Sequence, residues 1–189
     1  MNTGQSETIL FRNKYRIQST RLKGWDYSHD GCYFVTLCVK DRDCVFGQVS
    51  DGGMILSEIG AAAYSCWMAI PRHFPFVELD QHVVMPNHVH GIIIINKNDT
   101  NVETQDFASL RYRYRNPNRF GPQSRNLASV IRGYKIGVKE RGIQDDVAFE
   151  WQPRYYDRII RNEKELNNVR NYIFNNLLNW RKDSEFVPS

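Results

Sequence analysis

The chain has 189 residues, of which 41% are hydrophobic and 24% charged, a balance that excludes a fully disordered chain and a membrane protein. A single domain is the default at about 100–200 residues per domain. Folding at this size hides roughly 70% of the unfolded chain's surface, so stability needs no disulfide or metal staple. The net charge of +4, from 25 basic and 21 acidic residues, says little as a total. Its distribution says more: between Gln105 and Arg141 nine basic residues accompany only Asp106 and Glu140, a local charge of +7. A basic stretch in an otherwise mildly acidic chain predicts a polyanionic partner, against the plainer reading of a solvated loop and helix face.

The opening MNTGQSETILFRNKYR lacks a signal-peptide apolar core. The longest aliphatic run, Ile92 to Ile95, falls far short of the ~18 residues of a membrane span. Cys32, Cys38, Cys44 and Cys66 form no CxxC pair and read as reduced thiols of a cytoplasmic protein.

Residues 1–24, with Arg12, Lys14, Arg16, Arg21 and Lys23, read as a basic N-terminal arm. A single domain over 25–182 and a short tail, 183–189, follow. Cys32 to Val39 is rich in β-branched and aromatic residues and predicts the first strand. Asp51-Gly52-Gly53, between two short apolar pieces, predicts a small hairpin over Val45 to Leu56. Ser57 is an N-cap candidate for a helix carrying Ile59, Ala63, Cys66 and Ile70, with Pro71 closing it.

Two strands are predicted next, Val77–Met85 and His88–Asn96, the second apolar enough to be central and covered on both faces. Residues 97–124 show no periodicity and read as a long mobile basic loop. A helix from about Asn126 to Glu140 follows, buried through Leu127, Val130, Ile131, Tyr134 and Val138. After it come a strand from Phe149 to about Ile160 and a last helix to about Trp180, opened by Asn162 and Glu165 as a loose capping box. This order predicts an α+β fold: a ferredoxin-like antiparallel sheet with helices packed on it, plus the hairpin and the mobile basic loop.

His88 and His90, at i and i+2 on a strand, share one face about 7 Å apart along the chain. Imidazoles so placed can converge on one metal ion, although a pair of half-buried polar residues at a strand end has the same spacing. A complete site needs a further ligand. In the last helix Leu166, Val169, Ile173, Leu177 and Trp180 form the core stripe. Tyr172 stands ~100° round from its centre, with Asn176 one turn further on the same flank. On spacing alone Tyr172 is a boundary tyrosine meeting solvent.

The phrase Met85-Pro86-Asn87-His88-Val89-His90-Gly91 resembles the His-hydrophobic-His (HUH) motif of single-tyrosine transposases, and most closely the REP-associated tyrosine transposases of the IS200-like group. The later phrase WQPRYYDRIIR, Trp151 to Arg161, resembles a second stretch of that family, with Arg158 where the family often has His. The likeness extends from about Gly24 to Trp180.

The resemblance implies that Tyr172 is the nucleophile and that His88, His90 and Asn176 hold a divalent ion, Mg²⁺ or Mn²⁺, although an imidazole–oxygen set also accepts Zn²⁺. It further implies metal-dependent nicking and rejoining of single-stranded DNA, hairpin-bearing, through a 5′-phosphotyrosine. Tyr134, Tyr155 and Tyr156 are competing tyrosines, the last two fitting packing or DNA contact. On this reading Arg111, Arg113, Arg115, Arg125, Arg132, Lys135 and Lys139 hold the DNA backbone, while Tyr112, Tyr114 and Phe120 stack on bases. The likeness favours a monomer with the tyrosine acting in its own chain, a helix-exchanging homodimer being the alternative. A domesticated, noncatalytic nucleic-acid-binding protein of the same fold is the competing function. A zinc hydrolase is disfavoured, because no further His or Cys stands at ligand spacing.

Overall fold

β1 (Gly31–Cys38) and β5 (His88–Ile95) lie side by side and antiparallel at the centre of a four-stranded sheet, and alternate residues of each feed two different cores. The computed structural model describes residues 25–27, 29–97, 124–183 and 185–186. The expected basic arm, nearly all of the expected basic loop, Arg111, Arg113 and Arg115, and the stacking candidates Tyr112, Tyr114 and Phe120 lie outside the described residues.

The hairpin is formed by β2 (Gly47–Ser50) and β3 (Gly53–Leu56). Its turn residues Asp51 and Gly52 have φ of 51° and 74°, the left-handed pair that matches the twist of a tight hairpin. Ser57 caps α1 (Glu58–Met68), its hydroxyl accepting from the Gly60 N–H at 3.0 Å. Pro71 does not close this helix. It lies in the first turn of a short α2 (Ile70–His73), where its missing N–H would have had no helical partner.

β4 (Val77–Val84) pairs with β5, and β6 (Tyr156–Ile160) pairs with β1, so the sheet order is β4-β5-β1-β6 and every pair is antiparallel. With α1 between β1 and β4, and α3 (Leu127–Gln144) between β5 and β6, this is the ferredoxin-like topology expected. Asn126 and Ser129 cap α3 reciprocally. The last strand is shorter than its apolar text suggests. Arg154, after Pro153, has φ of 72° and breaks the extended path, leaving only a lone bridge from Trp151 to Val39 before β6. The last helix, α4 (Glu163–Asn175), also stops early, giving way to turns and a 3₁₀ segment at Trp180–Lys182. Asn175, Asn176 and Asn179 crowd this end, and asparagine competes with the helix for its own backbone groups.

Tyr33, Val35 and Leu37 of β1 and Val89, Ile93 and Ile95 of β5 bury one sheet face under α1 and α3. Cys32, Phe34, Ile92 and Ile160 bury the other face under Leu166, Val169 and Ile173 of α4. Asp80 on β4 takes two hydrogen bonds from the Arg170 guanidinium and ties α4 to that edge. All four cysteines are free thiols. Among the described residues no helix is long and apolar enough to cross a membrane.

Gly91 faces α1, and a Cβ there would lie 2.1 Å from the Trp67 indole, which fills the space a side chain would need. Gly91→Ala is therefore expected to destabilise by about 1–3 kcal/mol through overpacking. At this chain length each kcal/mol corresponds to roughly 2–4 °C in melting temperature. An unchanged melting curve would show that the indole is free to move.

Candidate active site

Period-two alternation on β5 directs His88 and His90 to the α4 face, opposite Cys38 and Thr36 of β1 in the ladder. His88 is fully buried and His90 is 3% exposed. Both rings are fixed from behind. The Thr36 hydroxyl lies 2.9 Å from His90 Nδ1. Asn87 Oδ1 lies 2.8 Å from His88 Nδ1. The Asn87 Nδ2 group donates to the carbonyls of Arg42 (3.1 Å) and Glu185 (2.8 Å), which orients its oxygen toward His88. His88 Nδ1 therefore carries the proton, and Nε2 presents a lone pair.

The two Nε2 atoms face each other at 3.0 Å. At that distance one imidazole N–H donates to the other ring. Burial, reinforced by the neighbouring His90, lowers the His88 pKa to about 3, so this ring is neutral at physiological pH. Phe34 stacks on His90 with centroids 5.3 Å apart, and Trp180 lies 5.9 Å from His88.

α4 brings Tyr172 over this pair. Its hydroxyl is 3.1 Å from His90 Nε2 and donates to Asp183 Oδ2 at 3.2 Å. Asn176, one turn on, is buried and donates its amide N–H to the same carboxylate oxygen at 3.1 Å, while its Oδ1 has no hydrogen-bond partner among the described residues. Asp183 Oδ1 accepts from the Glu185 N–H at 2.7 Å, and Oδ2 stands 3.9 Å from His90 Nε2.

Burial opposes the charge on Asp183. The nearby His90 imidazole first, then the Glu185 and Asn176 N–H donors, outweigh burial and hold the carboxyl below its usual range. Tyr172 moves the opposite way: burial, then the Asp183 charge and hydrogen bond, push the phenol up to about 12. Donor atoms of His88, His90 and Asp183 all lie within 4.8 Å of one another, a spacing that one metal ion can bridge.

The structure thus brings His88, His90, Tyr172 and Asn176 together. Three contributors were not singled out by sequence reasoning: Asp183, Thr36 and Asn87. Asn87 stood inside the histidine phrase itself, whereas Asp183 belonged to the presumed tail and no periodicity connects it to the helix before it. The basic residues of α3 are not brought to this site, because α3 covers the opposite sheet face. Arg132 and Lys139 are exposed there. Lys135 is half-buried: its ammonium donates to the carbonyls of Gln152 (2.9 Å) and Arg154 (2.7 Å), and burial lowers its pKa to about 8. Arg125, just before α3, places its guanidinium 5.5 Å from the Phe76 ring centroid.

No protein-family model matches the chain. An uncharacterised protein of Haemophilus influenzae is 36% identical over 171 residues, covering 90% of this chain and 93% of that one. A second protein of that organism, provisionally assigned as a REP-associated tyrosine transposase, is 25% identical over 154 residues, covering 80% of this chain and 72% of its own length. The solved structure of a REP-associated tyrosine transposase bound to a REP hairpin has the same fold: its TM-score is 0.54 at 19% identity, over 85% of this chain and 74% of that one. The chain belongs to one family with the 36%-identical Haemophilus influenzae protein, and in sequence and fold it resembles the REP-associated tyrosine transposases.

Proposed function

We propose that this protein is a transposase-like enzyme that nicks and rejoins single-stranded DNA through a phosphotyrosine at Tyr172. The observation carrying this reading is the Tyr172 hydroxyl at 3.1 Å from His90 Nε2 and 3.2 Å from Asp183 Oδ2, within one chain. A phenol, a buried imidazole pair and a carboxylate converging on one point suit phosphoryl transfer better than packing.

The donor set fits a divalent cation. Two imidazoles and an ionised carboxylate converge, and Asn176 Oδ1, without a hydrogen-bond partner among the described residues, is a further hard oxygen beside Asp183. His88, His90 and Asp183 would hold Mg²⁺ or Mn²⁺, with Asn176 completing the set. Bound there, the ion would neutralise nonbridging phosphate oxygens and favour ionisation of a nearby phenol. Thr36 and Asn87 keep both rings aimed, the role that outer-shell partners fill in metal sites.

With its pKa near 12, Tyr172 keeps its proton in the resting state and donates it to Asp183 Oδ2. In the reaction the phenolic oxygen gives up its proton as it attacks phosphorus, the bond from phosphorus to the 3′ oxygen breaks, and that oxygen takes up one proton to leave as a 3′-hydroxyl. The product is a 5′-phosphotyrosine. Attack by a DNA 3′-hydroxyl reverses the step and returns the phenol, so rejoining needs no nucleotide cofactor.

Hairpin DNA is the substrate we favour, since the fold neighbour is bound to a REP hairpin. Arg132 and Lys139 are exposed on the far side of the sheet from Tyr172 and suit the phosphates of a stem rather than the scissile phosphate. Arg111, Arg113 and Arg115 join this assignment on charge alone.

Tyr172→Phe is expected to abolish the covalent protein–DNA adduct on denaturing gels while leaving DNA affinity within a few-fold, because the phenol acts only in the chemical step. Adducts at wild-type yield would exclude Tyr172 as nucleophile. Should wild-type protein with Mn²⁺ bind hairpin DNA yet form no adduct, the noncatalytic binding reading replaces this one.

Added Mn²⁺ is expected to raise the melting temperature of the wild-type protein, with the rise lost in His88→Ala and His90→Ala. Asn87→Ala, which releases His88 Nδ1, is expected to weaken Mn²⁺ binding by roughly 10–100-fold in titration calorimetry. Equal Mn²⁺ affinity in wild type and His90→Ala would place the ion elsewhere.

A further inference from the structure

The sheet face that carries the histidine pair extends beyond α4 onto β6, an edge strand. In the ladder Tyr156 stands opposite Thr36, and Thr36 opposite His90, so the three form one row on one face of the sheet. Two strand spacings make that row about 10 Å long. Most large aromatic side chains on this sheet are buried, but Tyr156 is 50% exposed. Its ring sits edge-on to Phe34 at 6.5 Å between centroids, and Phe34 in turn lies 5.3 Å from His90 and 5.9 Å from Tyr172. An aromatic file thus leads from the sheet edge to the candidate nucleophile, with its outer ring half-exposed.

Positive charge follows the same edge. Arg158, two residues on and therefore on the same face, is exposed and has Glu165 as its ion-pair partner, at 3.8 Å between charged atoms. Arg161 and Lys164 are exposed just beyond the strand. An exposed π-face beside exposed cations, here Arg158, Arg161 and Lys164 interleaved with Glu163 and Glu165, is the combination that single-stranded nucleic acid requires: stacking for bases and charge for phosphates.

We propose that Tyr156 is a positioning residue on whose ring the base of a nucleotide adjoining the scissile phosphate stacks, Arg158 neutralising the next phosphate outward. This rests on the proposed action on single-stranded DNA. A row of about 10 Å suits the reach from a phosphate held at Tyr172 to the base of a neighbouring nucleotide. Stacking at Tyr156 would then fix which phosphate faces the phenol, and the register of cleavage with it.

The test is a hairpin oligonucleotide with single-stranded flanks, 2-aminopurine being placed at each flank position in turn and binding measured without metal. Wild-type protein is expected to quench one position strongly. Tyr156→Ala is expected to lose that quench and to bind about 5- to 100-fold more weakly, the range for loss of one stacked base. Tyr156→Phe should retain the quench. Tyr156→Leu, which keeps apolar packing on Phe34, should lose it, separating stacking from folding. Quench and affinity unchanged in Tyr156→Ala would overturn the inference and leave the ring as a strand-edge packing residue. A wild-type protein that binds no single-stranded flank would instead overturn the function on which the inference rests.

Discussion

The register between β1 and β5 is the constraint on which the candidate site depends. Because side chains alternate, His88, His90 and Ile92 face α4, while Val89, Gly91 and Ile93 face α1 and α3. A slip of one residue would exchange the two sets, putting Val89 where an imidazole stands and forcing the histidines into an apolar core. Gly91 opposes such a slip, since Trp67 occupies the space beside it and admits no side chain there. The histidine pair and the apolar contact with α4 are consequences of one alignment. When Leu166, Val169 and Ile173 dock on Phe34 and Ile92, Tyr172 on their flank arrives 3.1 Å from His90 with no further adjustment.

Docking alone would leave two polar rings in a dry layer, which is costly unless each nitrogen finds a partner. The sheet and its turn supply those partners, Thr36 from the paired strand and Asn87 from the residue before β5. Asn87 links two tasks, because its amide also holds the Glu185 carbonyl and so tethers the segment bearing Asp183. The Arg42–Glu185 ion pair at 2.8 Å adds a second tether. Asp183 therefore belongs to the site through tertiary hydrogen bonds, although nothing local to residues 183–186 resembles a motif.

That difference explains what the sequence made legible. Elements defined by short-range periodicity could be read: the β-branched first strand, the central isoleucine strand, the Ser57 and Asn162 caps, and the flank position of Tyr172. The errors fall where one residue overrides a pattern. Pro71 opens a turn of helix rather than ending one. Arg154 adopts a left-handed conformation and halves the expected last strand. Lys135 belongs by spacing to a basic helix face, yet it reaches the carbonyls of Gln152 and Arg154, a contact with no counterpart in helical periodicity. Asp183 was illegible for the deeper reason that the helix unravels after Asn175. No repeat carries across the turns, and only the folded chain brings Asp183 beside Asn176.

The departure of this chain from the phrase it otherwise shares with the REP-associated transposases can be placed in the same terms. Arg158, standing where that family often has His, lies opposite Phe34 in the ladder, two residues along β6 from Tyr156. Its side chain is exposed and faces Glu165, outside the group formed by His88, His90, Tyr172, Asn176 and Asp183. An arginine cannot lose its charge near neutral pH, whereas a histidine there would titrate within the physiological range. The change therefore gives the sheet edge a permanent cation and leaves every donor atom of the candidate metal site in place. Under the proposed function it acts on how the strand is held, through a phosphate contact that persists at any physiological pH, and the bond-breaking set is untouched.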